Sequence, residues 1–248
     1  NANDSVATIL MRGFQFKQFF IQHDRCAMKV GTDSIILGSW AQAEHAKSIL
    51  DIGTGSGLLA IMLAQRAQNC EQIVGLDIDP DAIEQAKLNA QSCPWKDCLT
   101  FTKCALQEYN ESIKFDVIVS NPPYFPVNRT ANQSHKDSNR INARQTNSLS
   151  HTDLLTQVSR LLAPNGTFYC VLPEESTEAF IKNAEYVEMH CTQQLKVSSM
   201  PSSKVIRRFL AFTKEKLPPQ QSKLNIYQQA GIYSADYRRL CQEYYLKF

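Results

Sequence analysis

The chain has 248 residues, 43% of them hydrophobic and 20% charged, the make-up of a globular protein near the upper limit of about 250–300 residues for one core. No stretch reaches the roughly 18 uninterrupted apolar residues of a membrane-spanning helix, and the N-terminus lacks a signal-peptide core. The formal net charge is only +2, so charge has to be read locally rather than over the whole chain.

Short apolar runs alternate with helix-period segments, the pattern of βαβ units around a parallel sheet. Two apolar clusters come before residue 50; Phe14, Phe16, Phe19 and Phe20 have a mixed spacing and read as core rather than as base-stacking platforms. Ser48 to Ile52 reads as the first strand, followed by a helix from about Gly57 through Leu63. Gln72 to Asp77 is the second strand, and Asp79-Pro80 supplies an N-cap and first-turn proline for a helix to about Ser92. Leu99 to Lys103 and Phe115 to Ser120 follow as third and fourth strands.

From Asn128 to Ser150 the chain is polar and without period, which inside a compact domain marks a functional or disordered stretch. Ser150-His151-Thr152-Asp153 then forms a capping box for a helix to about Leu162. Pro164-Asn165-Gly166 turns the chain into a fifth strand, Thr167 to Leu172. Segments near Val187 to Val197 and Val205 to Thr213 are expected to form an antiparallel edge. After the Pro218-Pro219 break, an aromatic tail (Tyr227, Tyr233, Tyr237, Tyr244, Tyr245, Phe248) is expected to pack back on the core.

The eight cysteines are scattered without a CxxC pair, and the five histidines show no i, i+4 pairing. That spacing argues for thiols in a reducing cytosol and against disulfides, zinc or any other metal site. Basic residues concentrate in two places. Arg129, Lys136, Arg140 and Arg144 outweigh Asp137 between Phe125 and Ser150, and Lys196, Lys204, Arg207, Arg208, Lys214 and Lys216 outweigh Glu215 further on. Such patches suit either a polyanionic partner or ordinary solvated surface.

Two motifs carry chemistry. The first is Asp51-Ile52-Gly53-Thr54-Gly55-Ser56-Gly57, a glycine-rich turn at the end of the first strand. Glycines let a ligand approach the backbone closely, and a following helix N-terminus favours a negative group. A nicotinamide fingerprint would need glycine at position 58, where this chain has Leu58. Asp77, 24 residues after Gly53 at the end of the second strand, can accept two ribose hydroxyls because an ionised carboxylate offers two acceptor oxygens. The second motif, Asn121-Pro122-Pro123-Tyr124, follows the fourth strand. The Asn121 side-chain oxygen and the Pro122 carbonyl can accept the two N–H bonds of a planar amine, and the ring of Tyr124 can stack on it. Prolines fix φ and offer no competing N–H.

Together the motifs resemble the amino-directed class of S-adenosylmethionine (SAM)-dependent methyltransferases. The resemblance implies an α/β, Rossmann-like fold with a mostly parallel seven-stranded sheet and helices on both faces. Residues 1–248 would form a single domain: an N-terminal segment 1–47, a catalytic core 48–217 and a C-terminal extension 218–248. SAM would be the cofactor, held by Asp33, Asp51, Gly53, Gly55, Gly57, Asp77, Ala105 and Asn121. The family often has an acidic residue where this chain has Ala105, so the cofactor's adenine would need another contact.

The segments Gly13 to Phe20 and His23 to Asp33, Gly38-Ser39-Trp40, Ala143-Arg144 and Tyr233-Ser234 extend the likeness over nearly the whole chain. They resemble the bacterial tRNA-valine (adenine N6)-methyltransferases, which modify the adenine 3′ of the anticodon. A tRNA partner follows, with Lys29, Arg129, Arg140, Arg144, Lys204, Arg207 and Arg208 as candidate RNA contacts and Asn121, Pro122, Pro123 and Tyr124 as the catalytic group. A cytoplasmic monomer without metal is the corresponding expectation. Guanine-N2 methylation of ribosomal RNA, glutamine-N5 methylation of release factors and a non-catalytic SAM-binding module are the competing readings. The glutamine enzymes usually carry a helical domain before the glycine loop, for which the roughly fifty residues before Asp51 leave no room.

Overall fold

The computed structural model describes residues 13–122 and 149–247. The chain opens with a small antiparallel hairpin, β1 (Gly13–Gln15) and β2 (Phe20–Gln22), before α1 (Thr32–Trp40). Four strands and two helices follow: β3 (Ser48–Ile52), α2 (Leu58–Arg66), β4 (Gln72–Asp77), α3 (Pro80–Gln91), β5 (Leu99–Lys103) and β6 (Phe115–Ser120). Beyond residue 148 come α4 (His151–Leu161), β7 (Leu162–Pro173), α5 (Glu174–Glu185), β8 (His190–Ser198), β9 (Val205–Thr213) and β10 (Gln220–Asn225). A second hairpin, β11 (Tyr227–Gln229) with β12 (Ile232–Tyr233), leads into α6 (Ala235–Cys241).

Eight strands form the main sheet in the order β10-β8-β9-β7-β6-β3-β4-β5, against the seven expected. The extra strand is β10, which adds in parallel to β8. Its sequence, Gln-Gln-Ser-Lys-Leu-Asn, has no apolar alternation and four exposed residues, so backbone pairing with β8 and the buried side chain of Leu224 assign it to the sheet. Only β9 runs antiparallel to its neighbours β7 and β8. The edge therefore belongs to β10, and β8 lies inside the sheet.

Successive residues of the central strands serve opposite faces. Ile49, Val117 and Val119 pack into a cluster with α1, α2 and α6, whereas Leu50, Ile52 and Ile118 pack with α4 and α5. Burial on both faces is why these strands read as continuous apolar runs. Phe16 and Phe19 belong to the first cluster, at 0% and 4% exposure.

Two caps have the expected chemistry: the side chain of Asp79 accepts from Asp81 N at 2.9 Å, and Ser150 accepts from Asp153 N at 3.0 Å. The Pro164-Asn165-Gly166 turn, by contrast, is absorbed as an irregularity within β7. Register shifts there, from Phe115 opposite Leu162 to Val117 opposite Thr167, and the strand begins five residues early. All eight cysteines are free thiols. No described helix is long and apolar enough to cross a membrane, and the described residues contain no cluster of three metal-ligating side chains.

Candidate active site

Strand order reverses between β3 and β6, whose next neighbours are β4 and β7 respectively. Loops leaving the carboxyl ends of two such strands diverge to opposite faces and open a crevice. The glycine turn leaves β3 and Asn121 leaves β6, and the two strands end in register, Ile52 opposite Ser120. Ser120 Oγ donates to the Ile52 carbonyl at 3.0 Å, fixing the two exits side by side.

The turn winds through Gly53, Gly55 and Gly57 at φ of 71°, 55° and 80°, the left-handed region that side chains disfavour. Gly53 N and Thr54 N both donate to the Leu76 carbonyl, at 2.8 and 2.9 Å, and Gly55 N donates to Asp77 Oδ2 at 2.9 Å. Asp77 Oδ1 accepts from Asp79 N at 3.0 Å. Its carboxylate thus ties the turn to the end of β4. Beneath the turn Asp51 is wholly buried; its Oδ2 accepts from Thr54 Oγ1 at 2.7 Å and from Ala60 N at 3.2 Å. The second bond gives α2 the N-terminal acceptor that Gly57, without a side chain, cannot supply. Burial pushes the Asp51 carboxyl up to about 7, against the two hydrogen bonds that favour its charged form. Its Oδ1 is buried with no hydrogen-bond partner among the described residues.

The turn, Asn121 and the start of α1 enclose a cavity of about 300 Å³. Gly53, Thr54, Gly55 and Ser56 form one wall with Leu58 and Leu59, and Met28, Lys29, Gly31, Thr32, Asp33 and Ser34 form another. A Cβ added at Gly53 or Gly55 would meet nothing within 4 Å, so both glycines turn an open backbone edge to the cavity. Asn121 is 9% exposed. Its Nδ2 donates to Ser34 Oγ at 2.9 Å, while Oδ1 is buried and unpartnered among the described residues. Asp33 Oδ2 accepts from Arg207 Nε at 2.9 Å, linking α1 to β9 across the cavity rim.

Of the residues expected to contact cofactor, Asp33, Gly53, Gly55 and Asn121 line this cavity, as does Lys29, an expected RNA contact. Asp51, Gly57, Asp77 and Ala105 do not. Asp51 and Asp77 brace the turn, and Gly57 is a packing position, where a Cβ would meet Phe101 Cζ at 3.1 Å and Ala86 Cβ at 3.2 Å. Ala105 is half-buried where a short 3-10 turn (Leu106–Glu108) begins. Pro122 is buried beside Asn121, whereas Pro123, Tyr124, Arg129, Arg140 and Arg144 lie outside the described residues.

Among the basic candidates Lys204 is exposed between β8 and β9, and Arg207 is engaged by Asp33. Arg208 requires a correction. Its guanidinium makes two bonds to Glu174, at 2.7 and 2.5 Å, and another to Glu178 at 2.8 Å, with 12% of the side chain exposed. Two carboxylates already hold the fork that a phosphate would use. Ser34 and Thr32 were missed because α1 gives no periodic signal: Ile35, Ile36 and Leu37 are consecutive and all buried.

Residues 43–231 match a protein-family model described as a methyltransferase domain. A predicted O-methyltransferase from Agrobacterium tumefaciens shares the fold, with a TM-score of 0.65 at 14% identity over 86% of this chain and 96% of its own. The chain is a methyltransferase of the SAM-dependent class. Nearer relatives carry a narrower description. Proteins named tRNA1(Val) (adenine(37)-N6)-methyltransferase are 45% identical in Pseudoalteromonas atlantica, over 96% of this chain and 99% of the relative, and 41% identical in Serratia proteamaculans, over 94% and 90%. The chain belongs to the tRNA1(Val) (adenine(37)-N6)-methyltransferase family.

Proposed function

We propose that this protein transfers the methyl group of SAM to the N6 amine of an adenine in tRNA, position 37 of tRNA-Val being the target named for its relatives. One observation carries the reading: a glycine turn with open space over its backbone and an asparagine with an unpartnered carbonyl oxygen share one cavity. The residues present fit the cofactor. Gly53 and Gly55 leave room against the backbone, Lys29 and Asp33 offer opposite charges to its amino-acid end, and Leu58 and Leu59 supply apolar wall.

Bound there, SAM supplies a methyl carbon made electrophilic by its sulfonium sulfur. The protein's part is to orient and desolvate the acceptor. An adenine amine is a weak nucleophile because its lone pair is delocalised into the ring. Asn121 Oδ1 accepts one N–H and the Pro122 carbonyl accepts the other, favouring the tetrahedral nitrogen whose lone pair can attack. Methyl transfer would build positive charge on the nitrogen, so the hydrogen bonds to Asn121 Oδ1 and the Pro122 carbonyl would strengthen in the transition state. The extra proton then leaves the nitrogen for water. Orienting the amine against the bound cofactor would contribute to the acceleration, with about 7–11 kcal/mol available from orienting two reactants.

The base next to an anticodon is unpaired, so turning it into the cavity costs less than extraction from a duplex. Lys204 would meet RNA phosphates, and so would Arg129, Arg140 and Arg144. The enzyme would work as a monomer in the cytoplasm, where tRNA is found. The test is incubation of purified protein with methyl-labelled SAM and separate samples of tRNA, ribosomal RNA and release factor, followed by analysis of digests. Label in N6-methyladenosine from tRNA supports the reading. Label in N2-methylguanosine or methylglutamine replaces it, and no transfer at all would leave a binding module.

A further inference from the structure

The amide of Asn121 has two ends of nearly equal size, and a half-turn about its last torsion exchanges an acceptor for two donors. Only one orientation can serve an incoming NH2. The reverse would set N–H groups of the enzyme against N–H groups of the substrate, beside a positively charged sulfur. A hydroxyl beside the amide can accept from Nδ2 or donate to Oδ1, so the donors of the incoming amine select the orientation, and a neighbour's part is to hold the amide where that amine arrives.

The amide touches Ser34. Nδ2 donates to Ser34 Oγ at 2.9 Å across 87 positions of sequence, and Oδ1 is left buried without a partner among the described residues. Both residues line the cavity. Ser34 stands in the first turn of α1, a helix fixed from beneath by Ile35, Ile36 and Leu37, which are 2%, 0% and 0% exposed. The ion pair between Asp33 and Arg207 fixes it from the side. The hydroxyl is therefore presented by a rigid element, the requirement for holding a neighbouring group in place.

We infer that Ser34 is a positioning residue for methyl transfer, anchoring the Asn121 amide at the cavity wall by accepting from Nδ2, which leaves Oδ1 for the acceptor amine. The inference rests on the active-site reading above and extends it to a residue that need not touch either substrate. Without the hydroxyl, Nδ2 is a buried donor with no acceptor among the described residues, and the amide spends part of its time away from the position that meets the amine. The rate falls by the fraction of molecules lost from the competent position.

The test is a double-mutant cycle on the single-turnover rate of methyl transfer to tRNA at saturating SAM, with the SAM Kd of every variant measured by calorimetry. Ser34→Ala is expected to slow transfer about tenfold, the effect of one neutral hydrogen bond whose loss strands a buried donor, with the SAM Kd changed less than twofold. Ser34→Thr should recover most of that loss. In an Asn121→Ala background, Ser34→Ala should cost less than a further twofold, because the group it anchors is gone.

Equal factors in the two backgrounds would overturn the inference, as would a loss contained wholly in the SAM Kd. Should Ser34→Ala fold poorly, Ser34→Cys keeps the size with a weak acceptor and must show the same pattern. If Asn121→Ala transfers methyl at the wild-type rate, the active-site reading falls and this inference with it; additivity with a strongly impaired Asn121→Ala removes only the role of Ser34.

Discussion

The contrast between Gly53 and Gly57 yields the most quantitative prediction. Both have φ in the left-handed region, 71° and 80°, so alanine at either position carries a backbone penalty of about 1–2 kcal/mol. They differ in what the new methyl meets. At Gly53 there is nothing within 4 Å and the site is cavity wall. At Gly57 the methyl lands 3.1 Å from Phe101 Cζ and 3.2 Å from Ala86 Cβ, an overpacking of about 1–3 kcal/mol. At roughly 2–4 °C per kcal/mol for a domain of this size, Gly53→Ala should lower Tm by about 2–8 °C and Gly57→Ala by about 4–20 °C.

Cofactor affinity should move in the opposite order. A methyl intruding on bound SAM by about 1–3 kcal/mol weakens binding by about 5- to 150-fold. Gly53→Ala should show this loss, and folded Gly57→Ala should show much less. Calorimetric titration with SAM and thermal melts of the same preparations give both quantities. Equal losses of affinity in the two variants, or an unchanged Kd in Gly53→Ala, would refute the assignment of this cavity to the cofactor.

Asn121→Ala should reduce turnover at least a hundredfold, the scale for losing a donor or acceptor matched to developing charge, while the SAM Kd stays within about threefold; parallel losses in both would contradict its place opposite the acceptor. The Asp51 carboxyl is raised from 3.8 to about 7, so its charged form is the destabilised one. The stability it allows is full below the ordinary carboxylate value and is lost as pH rises through about 7, to a limit of roughly 4 kcal/mol. Asp51→Asn should accordingly gain Tm relative to wild type between pH 5 and pH 8, and a pH-independent difference would exclude a buried, titrating carboxylate. Arg208→Ala should destabilise by about 1–2 kcal/mol, less than a fully buried pair because Glu174 and Glu178 keep 35% and 78% of their side chains exposed. It should leave the salt dependence of tRNA binding unchanged, whereas Lys204→Ala should lower that slope by about one. The opposite assignment of the two slopes would reverse their roles.

Local chemistry made much of this fold legible. The strands β3, β4 and β6 begin and end where their apolar runs do, because burial on both faces leaves no polar alternation to blur the ends. Asp79-Pro80 and Ser150 through Asp153 announce helix starts because the capping groups lie within a single turn. What escaped reading depends on partners distant in sequence. α1 is apolar around much of its surface and lacks a helical stripe. β10 is polar except for the buried Leu224 and joins the sheet where β8 offers it an edge. At the site, Asn121 and the glycine turn could be placed from the strands that precede them. The hydrogen bond from Asn121 to Ser34, the loss of Arg208 to Glu174 and the cavity-facing position of Lys29 required the sheet to close first.

The most direct test of the account is a crystal structure of the protein soaked with S-adenosylhomocysteine, the thioether left after methyl transfer. The predicted result is an amino-acid end lying along Gly53 and Gly55, with the sulfur directed at Asn121 Oδ1 and space for one amino group between them. Density for the sulfur on the far side of the turn from Asn121, or for the product outside this cavity altogether, would contradict it.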